Sequence, residues 1–251
     1  MKNVLLIDSG SGGVNILKEC VKVCPYCNFL MFCDDANLPY GNKTKRQLQE
    51  ITLKNLQNIR RFFKFDIVIL ACNTLTCTCL DFVRKKISDV IFIGTVPAVK
   101  PALEKFDESE ILVLATQVTL KHNVLIQKHP NLKKLCLPSL ASDIDSHLDE
   151  LESLKDGLKE EFNEIIKKQG CPKSVVFGCT HYVAVKDILQ EILGEDVQFF
   201  DSMSGVARRL LHFVSEQEDF DNKKEPDFKV QLMVSGKQEL LAQFWNYYIS
   251  N

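Results

Sequence analysis

The sequence predicts an α/β protein of two pseudo-symmetric lobes, each a mostly parallel sheet flanked by helices, with the active site in the cleft between them. Three observations carry this expectation: short apolar runs alternate with longer helix-like stretches, turn formers separate them, and the runs recur at a fixed spacing. The apolar runs are Val4 to Ile7, Phe29 to Phe32, Ile67 to Leu70, Val90 to Ile93, Ile111 to Leu114, Val175 to Phe177 and Val197 to Phe200. Among the intervening stretches, 45–63 is rich in Leu, Gln, Lys and Arg, and 149–168 carries Leu, Phe and Ile at helical spacing. Breakers fall at Pro39-Tyr-Gly41, Pro97, Pro101, Pro130, Pro138, Gly170 with Pro172, and Pro226 after the acidic run 216–221. Three pairs share one offset of 107 positions: Cys72 with Cys179 (179 − 72), Asp89 with Asp196 (196 − 89) and Val4 with Ile111 (111 − 4). A duplicated α/β unit explains that register, with lobes over 1–96 and 97–205.

Composition narrows the function classes. At 251 residues and 45% hydrophobic, the chain can bury one large core or two smaller ones. A net charge of −2 argues against the broad basic surface that nonspecific nucleic-acid binding requires, so nucleic acid is not an expected partner. The first apolar run is too brief for a signal sequence and no stretch reaches transmembrane length, so a cytoplasmic protein with no membrane partner is expected. Ten cysteines in this length fall short of a disulfide scaffold, and most are expected as free thiols.

Two of those cysteines stand in matching contexts. Cys72 lies in Ile67-Val-Ile-Leu-Ala-Cys-Asn-Thr74, and Cys179 in Ser174-Val-Val-Phe-Gly-Cys-Thr-His181. Each follows a strand-like run and a small residue, which suits a strand turning into a helix with the thiol in a crevice. Asn73-Thr74 and Thr180-His181 would place capping groups and N–H donors at the helix starts, a seat for a carboxylate. A pair of thiols suits proton removal from one face of a carbon and return to the other. The ordinary thiol pKa of ~8.5 leaves few thiolates near neutrality unless a cation or helix N-terminus assists. Inert packing is the commoner fate of one buried cysteine, but the matched placement favours chemistry. Asp8 follows the first run and precedes Gly10, Gly12 and Gly13, so its carboxylate would reach the crevice while the backbone approaches a ligand. An N-cap role for Asp8 is compatible with that. The glycines lack the dinucleotide-binding spacing.

Four segments then resemble the glutamate racemases: Asp8-Ser-Gly-Ser-Gly-Gly13; Asp34 with Ala36 and Pro39-Tyr-Gly41; Ala71-Cys-Asn-Thr74; and Gly178-Cys-Thr-His181. The resemblance spans almost the whole chain. It implies an isomerase that interconverts L- and D-glutamate by direct proton transfer without cofactor or metal, supplying D-glutamate for peptidoglycan. Cys179 would serve L-glutamate and Cys72 D-glutamate, with His181 and Asp8 assisting their nearer cysteines. Asp8, Ser9, Tyr40, Gly41, Asn73, Thr74, Thr180 and His181 would contact substrate, and matching positions add Thr116, Thr119 and Asp145. The segment 206–251 would return to the first lobe, and a homodimer is expected.

The chain also departs from the family's pattern. Asp35 and Asn37 stand where Ser or Thr and then Arg are usual, adding a negative charge and removing a positive one near a site for a dianion. Thr95-Val-Pro97-Ala98 replaces a Glu-Pro pair, His122 and Leu125 replace Ser and Tyr, and Asp145 is one methylene shorter than the usual glutamate. These changes keep open a racemase of another acidic or polar amino acid, such as aspartate, and a feebly active binding or regulatory protein. Cys24-Pro-Tyr-Cys27 is spelled like a redox motif but follows a helix and precedes a strand, and with Cys20 and Cys33 it fits no familiar zinc spacing. Cys77 and Cys79 are expected to pack on the helix after Cys72, and His122, His129, His147 and His212 to occupy surfaces or turns.

Overall fold

The computed structural model describes residues 1–215 and 229–236. The acidic run with Pro226 and the helix-like stretch 238–249 lie outside the described residues. The strands are β1 (Asn3–Asp8), β2 (Asn28–Cys33), β3 (Ile67–Leu70), β4 (Ile91–Gly94), β5 (Ile111–Ala115), β6 (Lys133–Leu135), β7 (Ser174–Gly178), β8 (Gln198–Phe200) and β9 (Val230–Val234). The α-helices are α1 (Gly13–Val23), α2 (Lys45–Ile59), α3 (Asn73–Lys86), α4 (Val99–Leu103), α5 (Gln117–His122), α6 (Val124–Lys128), α7 (Leu140–Ser146), α8 (Lys155–Gln169), α9 (Lys186–Leu193) and α10 (Met203–Ser215). They fall into two compact units, Met1–Thr95 with the described residues from Met203 on, and Val96–Ser202.

In the first unit a parallel sheet runs β4-β3-β1-β2-β9. Its strands are apolar on both faces because helices cover both. Leu5, Ile7, Val68 and Leu70 join Leu48, Leu56 and Ile59 of α2 and Leu75, Cys79 and Val83 of α3 in one buried cluster. Val4 and Leu6 alternate to the opposite face and are equally buried, while α1 packs against α10. Each such fully buried side chain contributes about 1.5–3 kcal/mol. Helix α2 starts at a capping box: Gln47 N–H donates to Thr44 Oγ1 at 3.3 Å, and Thr44 N–H donates to Gln47 Oε1 at 2.9 Å. It ends at Ile59, earlier than its periodicity predicts.

In the second unit a parallel sheet runs β6-β5-β7-β8. Ile111, Val113 and Ala115 pack with Val99 and Ala102 of α4, Leu120 of α5 and Ile126 of α6. Gly178 lies so close to β5 that a Cβ there would stand 2.5 Å from Ala115 Cβ, so the strand ladder needs glycine at this point. The predicted helix over 149–168 is a 3₁₀ turn, Leu151–Leu154, followed by α8. Strand β6 was not expected. Lys133 and Lys134 hide it from an apolar-run reading and suit an exposed sheet edge. Strand β9 adds to β2 in parallel, from Phe29↔Val230 to Cys33↔Val234.

The two sheets share one strand order. Reading β5 to β8 for β1 to β4 converts one into the other, apart from the added β9. The 107-residue register in the sequence therefore corresponds to a repeated topology.

Candidate active site

In each sheet the chain leaves its first strand toward one neighbour and later returns on the other side. In open parallel sheets that reversal leaves a crevice at the carboxyl ends of the two strands concerned, where ligands bind. The reversal lies between β1 and β3 in the first unit and between β5 and β7 in the second. Asp8 ends β1 and Cys72 lies just beyond β3, while Thr116 follows β5 and Cys179 follows β7. Topology alone thus places both candidate thiols at equivalent switch points of their own sheets.

In the first unit, Ala71 N–H donates to Ile7 O at 2.8 Å, extending the ladder one residue and leaving Cys72 at its end. Cys72 is 6% exposed and extended (φ −141°, ψ 125°), the backbone of an N-cap to α3. A thiol at a helix N-terminus feels the positive end of the helix dipole, which favours the thiolate. Asn73 follows, and both its amide nitrogen and its amide oxygen are buried with no hydrogen-bond partner. Buried polar groups are almost always paired, so this amide is a candidate ligand contact. Thr74 is also buried. Asp8 is fully buried, and its Oδ1 accepts from Ser9 N–H at 2.6 Å and from Ser9 Oγ at 3.3 Å. Gly12, not Asp8, occupies the N-cap of α1. Gly13 makes room for the carboxylate: a Cβ there would meet Met31 Cε at 2.5 Å and Asp8 Cβ at 2.8 Å.

The loop after β2 carries Tyr40 and Gly41. Its anchor is Asp34, also fully buried, which accepts from Tyr40 Oη at 2.6 Å, Asn55 Nδ2 at 2.9 Å and Asn37 Nδ2 at 3.0 and 3.1 Å. Burial and the Asp34 carboxylate hold the Tyr40 hydroxyl well above its ordinary pKa, with smaller contributions from Cys72 and Asp8. Asp35, flagged above as an added charge beside the site, is engaged elsewhere. It accepts from Gly236 N–H at 2.8 Å and Ser235 Oγ at 3.4 Å, tying the loop to the end of β9.

In the second unit, Cys179 is 8% exposed and His181 Nδ1 lies 3.6 Å from its Sγ. The other ring nitrogen, Nε2, is 3.2 Å from Asp145 Oδ2 on α7. Burial works to lower the His181 pKa, but the Asp145 carboxylate, with Cys179 behind it, outweighs burial and holds it well above the ordinary imidazole value. The result is a buried Asp145–His181–Cys179 line, with the imidazole between the carboxylate and the sulfur. The matching helix start expected here is absent, because His181–Val185 forms a 3₁₀ turn before α9. Tyr182 fills the space beneath, its Oη donating to Leu137 O at 3.4 Å. Thr116 caps α5 by accepting from Thr119 N–H at 3.2 Å, its own hydroxyl 3.0 Å from Thr119 Oγ1.

Curated relatives and solved structures cover almost the whole chain. A glutamate racemase of Clostridium novyi (strain NT) is 35% identical over 209 residues, 81% of this chain and 80% of that one. The chain belongs to the glutamate racemase family. Its fold is that of a Bacillus anthracis glutamate racemase isoform (TM-score 0.83, 20% identity, 100% and 94% of the two chains). An Escherichia coli glutamate racemase solved with L-glutamate and the activator UDP-MurNAc-Ala superposes equally well (TM-score 0.83, 25% identity, 98% and 95%). No family model matches the sequence.

Family likeness had marked Asp34 without giving it a role, and Asn55 was missed altogether. Asn55 was legible in principle, since it lies three residues after buried Thr52 and four before buried Ile59 on α2. Cys77 Sγ donates to Thr74 O at 3.3 Å and Cys79 is buried on α3, as expected. Cys24 and Cys27 are buried between α1 and β2, where the thiol-to-thiol hydrogen bond raises Cys24 and lowers Cys27. Among the described residues no group of three or more His, Cys, Asp or Glu could hold a metal ion, and no helix is long and apolar enough to cross a membrane.

Proposed function

We propose that this chain interconverts L- and D-glutamate by cofactor-independent proton transfer at Cα, with Cys72 and Cys179 as the two acid/base residues. The observation that carries the reading is the placement of two buried thiols at equivalent switch points, each just past its strand, with buried Asp8 ending the strand beside one and buried His181 two residues after the other. In the L-to-D direction, the Cys179 thiolate takes the Cα proton and becomes a thiol. The electron pair left on Cα spreads into the α-carboxylate, and Cys72 delivers its proton to the opposite face, becoming a thiolate. His181, with Nδ1 3.6 Å from Cys179 Sγ, would favour the starting thiolate, and Asp8, at the end of the neighbouring strand β1, would take or return the Cys72 proton. The unpaired Asn73 amide, the first N–H groups of α3, Thr74 and Thr180 are the donors for the substrate carboxylates. Ser9, Tyr40, Gly41, Thr116 and Thr119 complete the candidate substrate contacts, and Asp145 acts through His181.

The reading extends to a cytoplasmic homodimer that supplies D-glutamate for peptidoglycan. A racemase of another acidic amino acid loses much of its motive, because Asp35 is bonded to Gly236 and Asn37 to Asp34. The test is racemisation in deuterated water with a panel of L-amino acids, followed by chiral chromatography. Cys72→Ser and Cys179→Ser should each abolish turnover with the fold retained. Substantial turnover in both variants refutes the two-thiol assignment, and no Cα exchange with any amino acid refutes the enzyme.

A further inference from the structure

Asp34 has a role that substrate contact does not explain. Its carboxylate is fully buried, and its three side-chain partners, Tyr40, Asn37 and Asn55, are all neutral donors. A buried charge held only by neutral dipoles is an expensive way to brace a loop, since a neutral acceptor of similar shape would avoid the desolvation. The carboxylate does one thing a neutral group does poorly: it claims the Tyr40 hydroxyl proton in a short charge-assisted bond of 2.6 Å. A tyrosine hydroxyl has a single proton. With that proton committed to Asp34, its oxygen can meet any other neighbour only as an acceptor. The turn carrying Tyr40 packs against α3, the helix that Cys72 caps, and Tyr40 shares a buried cluster with Cys72. Asp34 N–H also donates to Asp8 O at 2.9 Å, so one residue braces both the tyrosine and the end of β1.

We propose that Asp34 is a positioning residue for the Cys72 half of the reaction, orienting Tyr40 as an obligate hydrogen-bond acceptor on that side. An acceptor there favours a group that carries a proton, the Cys72 thiol or the substrate ammonium, over an anion. That bias matches what the L-to-D direction needs from Cys72, which begins the cycle as the acid. The inference rests on the racemase reading. Charged and titratable neighbours on the Tyr40 side are Asp34, Asp8 and Cys72.

The test is a double-mutant cycle between Asp34→Asn and Tyr40→Phe, with kcat and KM for glutamate and thermal unfolding recorded for each protein. A second arm follows the Tyr40 ring carbon bearing oxygen by ¹³C NMR during a pH titration, assigned by its loss in Tyr40→Phe. Asp34→Asn should lower kcat by about 10²-fold while KM changes little, the size expected when a group is misplaced by an ångström or so. Tyr40→Phe should lose a similar amount, and combining the two should add nothing. The Tyr40 resonance should titrate at lower pH in Asp34→Asn than in the parent. Multiplicative losses, near-parental kcat in Tyr40→Phe, or an unmoved titration would overturn the proposal; a variant merely loosened in structure would show a lower melting temperature without the coupling. If the parent itself does not racemise glutamate, the racemase reading fails, and the NMR arm still decides whether Asp34 holds Tyr40.

Discussion

Replacing Asp145 by Asn tests the Asp145–His181–Cys179 line most directly. The change keeps the shape of the side chain and its ability to accept from His181 Nε2, and removes only the charge. At 3.2 Å the carboxylate–imidazolium attraction is about 5 kcal/mol for an effective dielectric near 20, before the opposing cost of burial. His181 is 1% exposed and the Asp145 side chain 11%, so solvent screens the pair little. A net figure of about 1.5–3 kcal/mol, that of a hydrogen bond to a charged group, is the appropriate scale. At about 1.4 kcal/mol per decade, kcat/KM should fall between about tenfold and about 10²-fold. The sign of the pH effect follows from the raised His181 pKa. A raised folded-state value contributes stability that is fully present below the unfolded imidazole value of ~6.5 and disappears as pH rises through the folded value. The stability gap between parent and Asp145→Asn should therefore be widest at or below about pH 6.5 and close toward alkaline pH. The alkaline limb of kcat/KM should move to lower pH in the variant, because its imidazolium gives up a proton more readily. Racemisation followed by circular dichroism across pH, with chemical unfolding of both proteins, measures both effects. A variant within twofold of the parent, with an unmoved alkaline limb, would refute the argument.

Two further outcomes follow from single observations. Asn73→Ala should raise KM for glutamate sharply yet leave the melting temperature of the unliganded protein nearly unchanged, since no hydrogen bond within the protein is lost; a large drop in that temperature would show a structural role instead. Asp35→Ser should leave KM for glutamate close to the parent value and lower thermal stability by about 1 kcal/mol, because the Asp35 carboxylate accepts from Gly236 N–H and Ser235 Oγ; a clear change in KM would show that it also acts on the substrate.

The parts of this fold legible in the sequence are those where burial dictates residue type. Strands β1, β3, β5 and β7 are covered on both faces, so they are written as unbroken apolar runs, and the thiols stand out because they end two of them. Strand β6 was invisible for the converse reason, its edge position being met by Lys133 and Lys134. The conformations after the two cysteines were harder to read. Three threonines follow Cys72, which argues weakly against a helix, yet α3 forms because Thr76 and Thr78 turn their hydroxyls back to Leu70 O and Thr74 O at 3.2 and 2.6 Å. After Cys179, Val183 and Val185 have no such recourse, and the chain makes a 3₁₀ turn in which Tyr182 is buried. Asp34 was unreadable as a hub because its partners come from a loop six residues on and a helix 21 residues away, distances at which no local pattern records a contact.

A racemase working through two thiols faces a problem that its duplicated scaffold does not solve. Each turnover needs one thiolate and one thiol at the start, and two equivalent switch points by themselves would give both sulfurs the same protonation state. The neighbours break the tie. His181, its pKa raised by the Asp145 carboxylate, has Nδ1 3.6 Å from Cys179 Sγ and is the group that would stabilise a negative sulfur there. On the other side, Cys72 stands at the start of α3 in a buried cluster with Tyr40, whose hydroxyl proton is committed to Asp34, and Asp8 ends the neighbouring strand β1. Under the two-thiol assignment proposed above, the resting form would be prepared for L-glutamate, with D-glutamate bound after the proton has passed across. The repeat supplies two sulfurs in equivalent places, and the direction in which the site is set comes from the residues in which the two halves differ.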